Sequence, residues 1–126
     1  MSSVVNIYEK QRLFYDSSKT KDIAFRKRSL IELKNTLLNR EEDILFAIKK
    51  DLGKHYYESY LTEYFIIISE IKKTIKNISG WTRPKRVKSS ILNFPSKDYL
   101  LCDPYGCTLQ ISPWNYPFQL SMATLI

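Results

Sequence analysis

The chain has 126 residues, 44% of them hydrophobic and 26% charged, which suits one modest domain with a core of its own. No apolar stretch approaches the roughly 20 residues that a membrane-spanning helix needs, so a helical span within these residues is excluded. A formal net charge of +7 invites a nucleic-acid reading, but the basic residues are mostly dispersed and carry no recognised RNA-binding motif.

A first helix is expected from Val4 to Tyr15, broken by the polar, turn-forming run Asp16-Ser17-Ser18-Lys19-Thr20. A second spans Asp22 to Leu38, where Ile23, Leu30, Leu33 and Leu37 recur at helical steps and mark a buried stripe. Asn39 followed by Glu42 has the spacing of a capping box. Glu41 to Asp43 suit the positive end of a third helix, Lys49 and Lys50 its negative end, and Gly53 can close it. A long fourth helix continues the stripe through Tyr57, Tyr60, Leu61, Tyr64, Ile67, Ile68, Ile71, Ile75 and Ile78, until Gly80 and Pro84 bring it to an end. Tyr64-Phe65-Ile66-Ile67-Ile68 widens that stripe on every side, as in a stretch packed between layers. Arg26-Lys27-Arg28, Lys49-Lys50, Lys72-Lys73 and Lys76 lie among carboxylates and read as solvated helix faces.

Beyond Pro84 the pattern changes. Arg83, Lys85, Arg86 and Lys88 form a basic cluster that reads as an exposed linker, although it has the charge to meet a phosphate. Ile91-Leu92-Asn93-Phe94-Pro95, then Tyr99 to Cys102, then Gly106 to Ser112 read as strands, with Asp103-Pro104-Tyr105-Gly106 reversing the chain between the last two. No internal repeat or low-complexity segment is present. The fold class is therefore α/β, an amino-terminal helical layer over residues 1–88 followed over 89–126 by the opening strands of an α/β domain. Thr124-Leu125-Ile126 falls inside what reads as a helix, without cap, glycine or polar tail, so a truncated chain is expected.

Cys102 and Cys107 flank the Asp-Pro-Tyr-Gly turn and read as small buried residues. A disulfide is the lesser alternative, because a basic chain without a signal peptide reads as cytoplasmic, where thiols stay reduced. With the single His55, a surface turn residue, they make no metal site, which takes about four spaced ligands.

Pro113-Trp114-Asn115-Tyr116-Pro117-Phe118 is the most informative run. Prolines bracket an amide side chain, and each fixes its own φ and biases the residue before it toward extended geometry, so Asn115 rides on a stiff turn. Pro117 suits a first helical position. Asn115 then stands at the carboxyl end of an expected strand, where ligands of open α/β sheets collect and where a rigidly aimed carboxamide can stabilise an oxyanion. Asparagine also satisfies backbone groups in tight turns, and spacing leaves both readings open. Trp114 is equally divided between core packing and a site role.

Ile111-Ser112-Pro113-Trp114-Asn115-Tyr116-Pro117-Phe118, preceded by Asp103-Pro104-Tyr105-Gly106, resembles the aldehyde dehydrogenase superfamily. There an acidic residue, Pro, any residue and Gly lead into a strand ending in Pro-Trp-Asn-aromatic-Pro. Arg26, Arg40-Glu41-Glu42-Asp43-Ile44-Leu45, Asp51-Leu52-Gly53-Lys54, Glu58 through Glu63, Glu70-Ile71 and Trp81-Thr82-Arg83-Pro84-Lys85-Arg86-Val87 resemble the amino-terminal part of its class 3 branch. The resemblance thus runs over nearly the whole chain. It implies a β-hairpin and the first strand-turn-helix of a Rossmann-like dinucleotide-binding domain over 89–126.

By the same resemblance Asn115 is the oxyanion-hole donor to a cysteine thiohemiacetal, in the oxidation of an aldehyde to a carboxylic acid. Ile111, Ser112, Pro113 and Trp114 pass beside the cofactor, NAD or NADP, and Tyr116 lines the aldehyde tunnel. A residue of the fourth helix can approach that tunnel in the family, but Tyr60 and Tyr64 read as core or interface packing. Neither Cys102 nor Cys107 matches the nucleophile, which is expected with the general-base glutamate beyond Ile126, so these residues alone are expected to be inactive. The partners implied are a small-molecule aldehyde and, at full length, further copies of the same chain, with no nucleic acid. A carboxy-terminal membrane anchor stays open. The competing expectation is a non-catalytic helical module that binds protein or nucleic acid through its basic surface, yet such a module has no use for a proline-clamped asparagine at a strand end.

Overall fold

The structure, a computed structural model, describes residues 3–126. Helix α1 (Ser3–Asp16) is followed by a short 3-10 turn, Lys19–Lys21, and α2 (Ile23–Asn39) begins where the Asp22 carboxylate accepts the amides of Ala24 and Phe25 at 3.0 and 3.2 Å. Helix α3 (Glu41–Leu52) carries acidic residues in its first turn and lysines in its last. It closes at Gly53 with φ 67°, a left-handed conformation that costs a glycine little.

The capping box expected at Asn39 does not form. Asn39 belongs to the last turn of α2, Arg40 stands at the α2–α3 junction, and no side chain caps α3. Burial of Leu37 holds the last turn of α2 against the core, which keeps Asn39 helical and denies it the extended geometry of a cap.

The expected long fourth helix is one continuous winding with a change of pitch. It runs as α4 (Tyr56–Ser59), a π-helical turn over Tyr60–Tyr64 in which the Phe65 amide bonds Tyr60 O, and α5 (Phe65–Trp81). The wider turn places the adjacent residues Glu63 and Tyr64 both inside. Leu45, Ile67 and Ile71 have no exposed surface, and together with Leu30, Leu37, Tyr64, Ile68 and Ile78 they form the core shared by α2, α3 and α5. Phe65 is half exposed, so the Tyr64–Ile68 run is packed mainly on one side rather than between layers.

The strands depart from expectation. The sheet pairs β1 (Lys85–Val87) with β2 (Asp98–Leu100) antiparallel, in the register Lys85↔Leu100, Arg86↔Tyr99 and Val87↔Asp98. Part of the basic linker is thus itself a strand. Ile91–Asn93 is a 3-10 turn, with the Leu92 amide 3.3 Å from Ser90 Oγ and its apolar side chains in solvent. Residues 106–112 form no strand, and among the described residues none lies beside them to supply a ladder. Apolar and β-branched residues suit a pleated surface, but a strand exists only against another backbone.

Cys102 is exposed and Cys107 half-buried, both as free thiols, so neither is the core residue expected. The chain around them is layered onto the helices. Tyr15 holds it there, its hydroxyl donating to Pro104 O at 3.1 Å. The Tyr15 ring packs beside Gly106, 3.4 Å from where a Cβ would stand, and it is the backbone φ of 93° there that calls for glycine.

Tyr64 links the core to the end of α2, its hydroxyl donating to Leu37 O at 3.1 Å. Burial, reinforced by the negative charge of Glu41, pushes its phenol up from 10.0 to about 12. The unfolded chain therefore releases this proton first as pH rises. The contribution of Tyr64 to stability should be intact below about pH 10 and fall away between about pH 10 and 12. Urea midpoints across that window should drop less steeply for Tyr64→Phe, and equal slopes would show that the phenol is not held back by burial.

Candidate functional site

The site is built where the extended run 107–112 turns through Pro113-Trp114-Asn115-Tyr116 into α6 (Pro117–Leu125). Proline at the first helical position is preset for the helix, but Tyr116 offers no side-chain cap, so the amides that follow need an acceptor from elsewhere. Glu63 supplies it. Its Oε2 accepts from the Phe118 amide at 3.0 Å and the Gln119 amide at 3.4 Å, and its side chain is entirely buried.

The other carboxylate oxygen, Oε1, accepts from Lys54 Nζ at 2.7 Å, and the lysine side chain is only 14% exposed. Lys54 follows the left-handed Gly53, whose turn sends the chain away from α3. The same ammonium donates to Asn115 O at 3.0 Å and stands 3.9 Å from the centre of the Tyr116 ring. Lysine and glutamate thus grip the turn from both sides, through the carbonyl of residue 115 and the amides of 118 and 119. Phe118 stacks on Tyr64 with ring centres 6.4 Å apart. Gln110 ties the later part of the helix to the extended run, its Nε2 lying 2.9 and 2.7 Å from Leu120 O and Ser121 O and 3.1 Å from Ser112 Oγ.

Asn115 is exposed, and among the described residues its carboxamide has no hydrogen-bond partner. The amide that spacing left open as a turn-satisfying group therefore makes no bond inside the turn. Ile111 and Trp114 are each 86% exposed, so Trp114 is not core packing here. Pro113 is exposed, Ser112 half-buried, and Tyr116 half-buried beneath Lys54. Ile111 to Trp114 thus lie together on one extended, backbone-unpaired ledge that leads directly to the free carboxamide. Tyr60 and Tyr64 pack as aromatic neighbours 5.8 Å apart, as expected of core and interface residues. Among the described residues no cluster of His, Cys, Asp or Glu could hold a metal, and exposed His55 instead accepts the Tyr57 amide on Nδ1 at 3.2 Å.

Sequence reasoning gave no role to Lys54 or Glu63. One signal was present, a carboxylate between Tyr60 and Ile67 on the apolar stripe of the fourth helix, since a carboxylate on a buried face requires partners. Glu63→Ala leaves the Lys54 ammonium and the first α6 amides without their acceptor. The expected loss in unfolding free energy, read from urea titration, is about 3–5 kcal/mol. A loss no larger than that of an exposed ion pair would contradict the burial of this charge.

The model of the aldehyde dehydrogenase family matches residues 4–126. Among curated relatives, 4,4'-diaponeurosporen-aldehyde dehydrogenase of Staphylococcus aureus is 41% identical over 126 residues, covering 97% of this chain and 28% of its own length. Aldehyde dehydrogenase family 3 member A2 of Pongo abelii is 34% identical over 110 residues, 87% of this chain and 23% of the relative. The solved substrate-bound state of Staphylococcus aureus AldH aligns with a TM-score of 0.95 at 39% identity, over 99% of this chain and 27% of that one. This chain therefore spans about a quarter of the length of such relatives. The proline-clamped asparagine, the helical layer beneath it and these matches lead to one conclusion: the chain belongs to the aldehyde dehydrogenase family.

Proposed function

We propose that these residues form the amino-terminal part of an NAD(P)-dependent aldehyde dehydrogenase, which oxidises an aldehyde to a carboxylic acid through a cysteine thiohemiacetal. The observation that carries this reading is the Asn115 side chain, exposed and unbonded among the described residues while its own backbone carbonyl is held by Lys54. A donor kept free on a fixed backbone is arranged for something other than its own turn.

In this reading a cysteine thiolate from outside residues 1–126 adds to the aldehyde carbon, and the carbonyl oxygen takes up negative charge. The Asn115 N–H donates to that oxygen. Because the bond strengthens as charge develops, it lowers the barrier more than it tightens aldehyde binding. Tyr116, next in the chain and braced by Lys54, lines the approach of the aldehyde.

The ledge of Ile111, Ser112, Pro113 and Trp114 fits a flat dinucleotide ring, because it offers the exposed side chains of Ile111 and Trp114 on backbone with no ladder partner among the described residues. A bound NAD or NADP supplies the hydride acceptor for the oxidation. Residues 106–112, extended and without a strand beside them among the described residues, are the opening of the Rossmann-like sheet in this reading. The free thiols Cys102 and Cys107 accord with a reducing cytoplasmic setting.

In a full-length enzyme carrying this segment, Asn115→Ala should lower turnover by about a hundredfold to a thousandfold with little change in the unfolding midpoint. Unchanged turnover would remove Asn115 from the reaction. Residues 1–126 alone should form no NADH or NADPH from an aldehyde, because oxyanion stabilisation without a nucleophile has nothing to act on. Aldehyde-dependent reduction by that purified piece would refute the placing of the nucleophile elsewhere.

A further inference from the structure

We infer that Lys54 and Glu63 are positioning residues for the Asn115 carboxamide, resting on the reading of Asn115 as an oxyanion donor. The carboxamide is exposed and without a partner of its own among the described residues, so its aim comes from the backbone that carries it. That backbone is fixed at few points. Lys54 Nζ holds the carbonyl of Asn115 at 3.0 Å and covers the Tyr116 ring at 3.9 Å, which together pin the peptide plane between residues 115 and 116. Glu63 holds the amides of Phe118 and Gln119 at 3.0 and 3.4 Å, which pins the start of α6 just after the turn.

The two anchors are coupled, because Lys54 and Glu63 bond each other at 2.7 Å with the carboxylate fully buried. Neither can shift without moving the other. Their mounting is also stiff. Glu63 projects from the π-helical turn at the buried junction with α5, and Lys54 leaves the left-handed Gly53 that closes α3. The pair therefore references the turn to the helical core rather than to the exposed run 107–112. Neither group touches the aldehyde in this arrangement. Each acts through the orientation of Asn115, and a donor displaced by about 1 Å can cost about a hundredfold in rate.

A double-mutant cycle in a full-length enzyme, assayed with hexanal and saturating NAD or NADP, tests this directly. Lys54→Met should lower kcat by about tenfold to a hundredfold with KM changed little, since what is lost acts on the transition state. Introduced into an Asn115→Ala background, the same substitution should lower kcat by less than about threefold, because there is no carboxamide left to aim. A merely structural lysine would lower kcat by the same factor in both backgrounds, and that result, or an unchanged kcat for Lys54→Met, overturns the positioning role alone.

If Lys54→Met fails to fold, Lys54→Met combined with Glu63→Gln leaves no buried charge unpaired and enters the same cycle with the same criteria. Glu63→Gln by itself keeps an acceptor for the α6 amides but weakens the grip on Lys54, so it should lose less kcat than Lys54→Met. An equal or larger loss would overturn the claim that Glu63 acts through its hold on Lys54. Unchanged turnover in Asn115→Ala itself would overturn both the positioning role and the oxyanion reading beneath it.

Discussion

A single buried carboxylate decides how the two parts of this structure meet. Glu63 has no exposed surface, and a bare charge there would be strongly unfavourable. It is tolerated because one oxygen meets the Lys54 ammonium and the other meets the first free amides of α6. The requirement runs both ways. The helix begins at a proline with no side-chain cap, so without Glu63 its amino-terminal donors would be left without a protein acceptor beside a packed face. Helical layer and carboxy-terminal turn thus each complete the other's hydrogen bonding.

The core makes that exchange rigid. Leu45, Ile67 and Ile71 are closed off from solvent, and α5 packs along α2 so that the π-helical turn at its head cannot unwind without opening the core. Tyr64, beside Glu63, ties the same turn to Leu37 on one side and stacks on Phe118 on the other. Secondary anchors hold what lies farther out. Tyr15 holds Pro104 and packs its ring beside Gly106, and Gln110 links the extended run to the later carbonyls of α6.

These anchors take up the Asn115 carbonyl and the Phe118 and Gln119 amides and, among the described residues, leave the Asn115 side chain without a partner. In the proposed function, that division of labour is what suits Asn115 to an oxyanion. A carboxamide on a firmly held backbone needs no reorganisation when charge appears in front of it. The neighbouring ledge of Ile111 and Trp114 keeps its apolar side chains in solvent. Isolated exposed apolar residues are ordinary, but Ile111 and Trp114 stand three residues apart on backbone that has no ladder partner among the described residues.

From the residues alone, the helices were legible because their signals are local. The apolar stripe from Ile23 to Leu37, the lysines at the end of α3 and the glycine after it each act within a few residues of chain. So was the stiff turn around Asn115, since prolines constrain only themselves and their immediate neighbours. What sequence left undetermined depends on partners distant in the chain. Whether 106–112 is a strand rests on another backbone lying beside it, and whether Asn39 caps a helix rests on where burial of Leu37 holds the preceding one. The ion pair that organises the site joins Lys54 and Glu63 to residues 115, 118 and 119, and no local pattern brings those positions together. Only packing the helices against one another placed a charge where it had to find these partners, because burial is a property of the assembled core and not of any stretch of sequence.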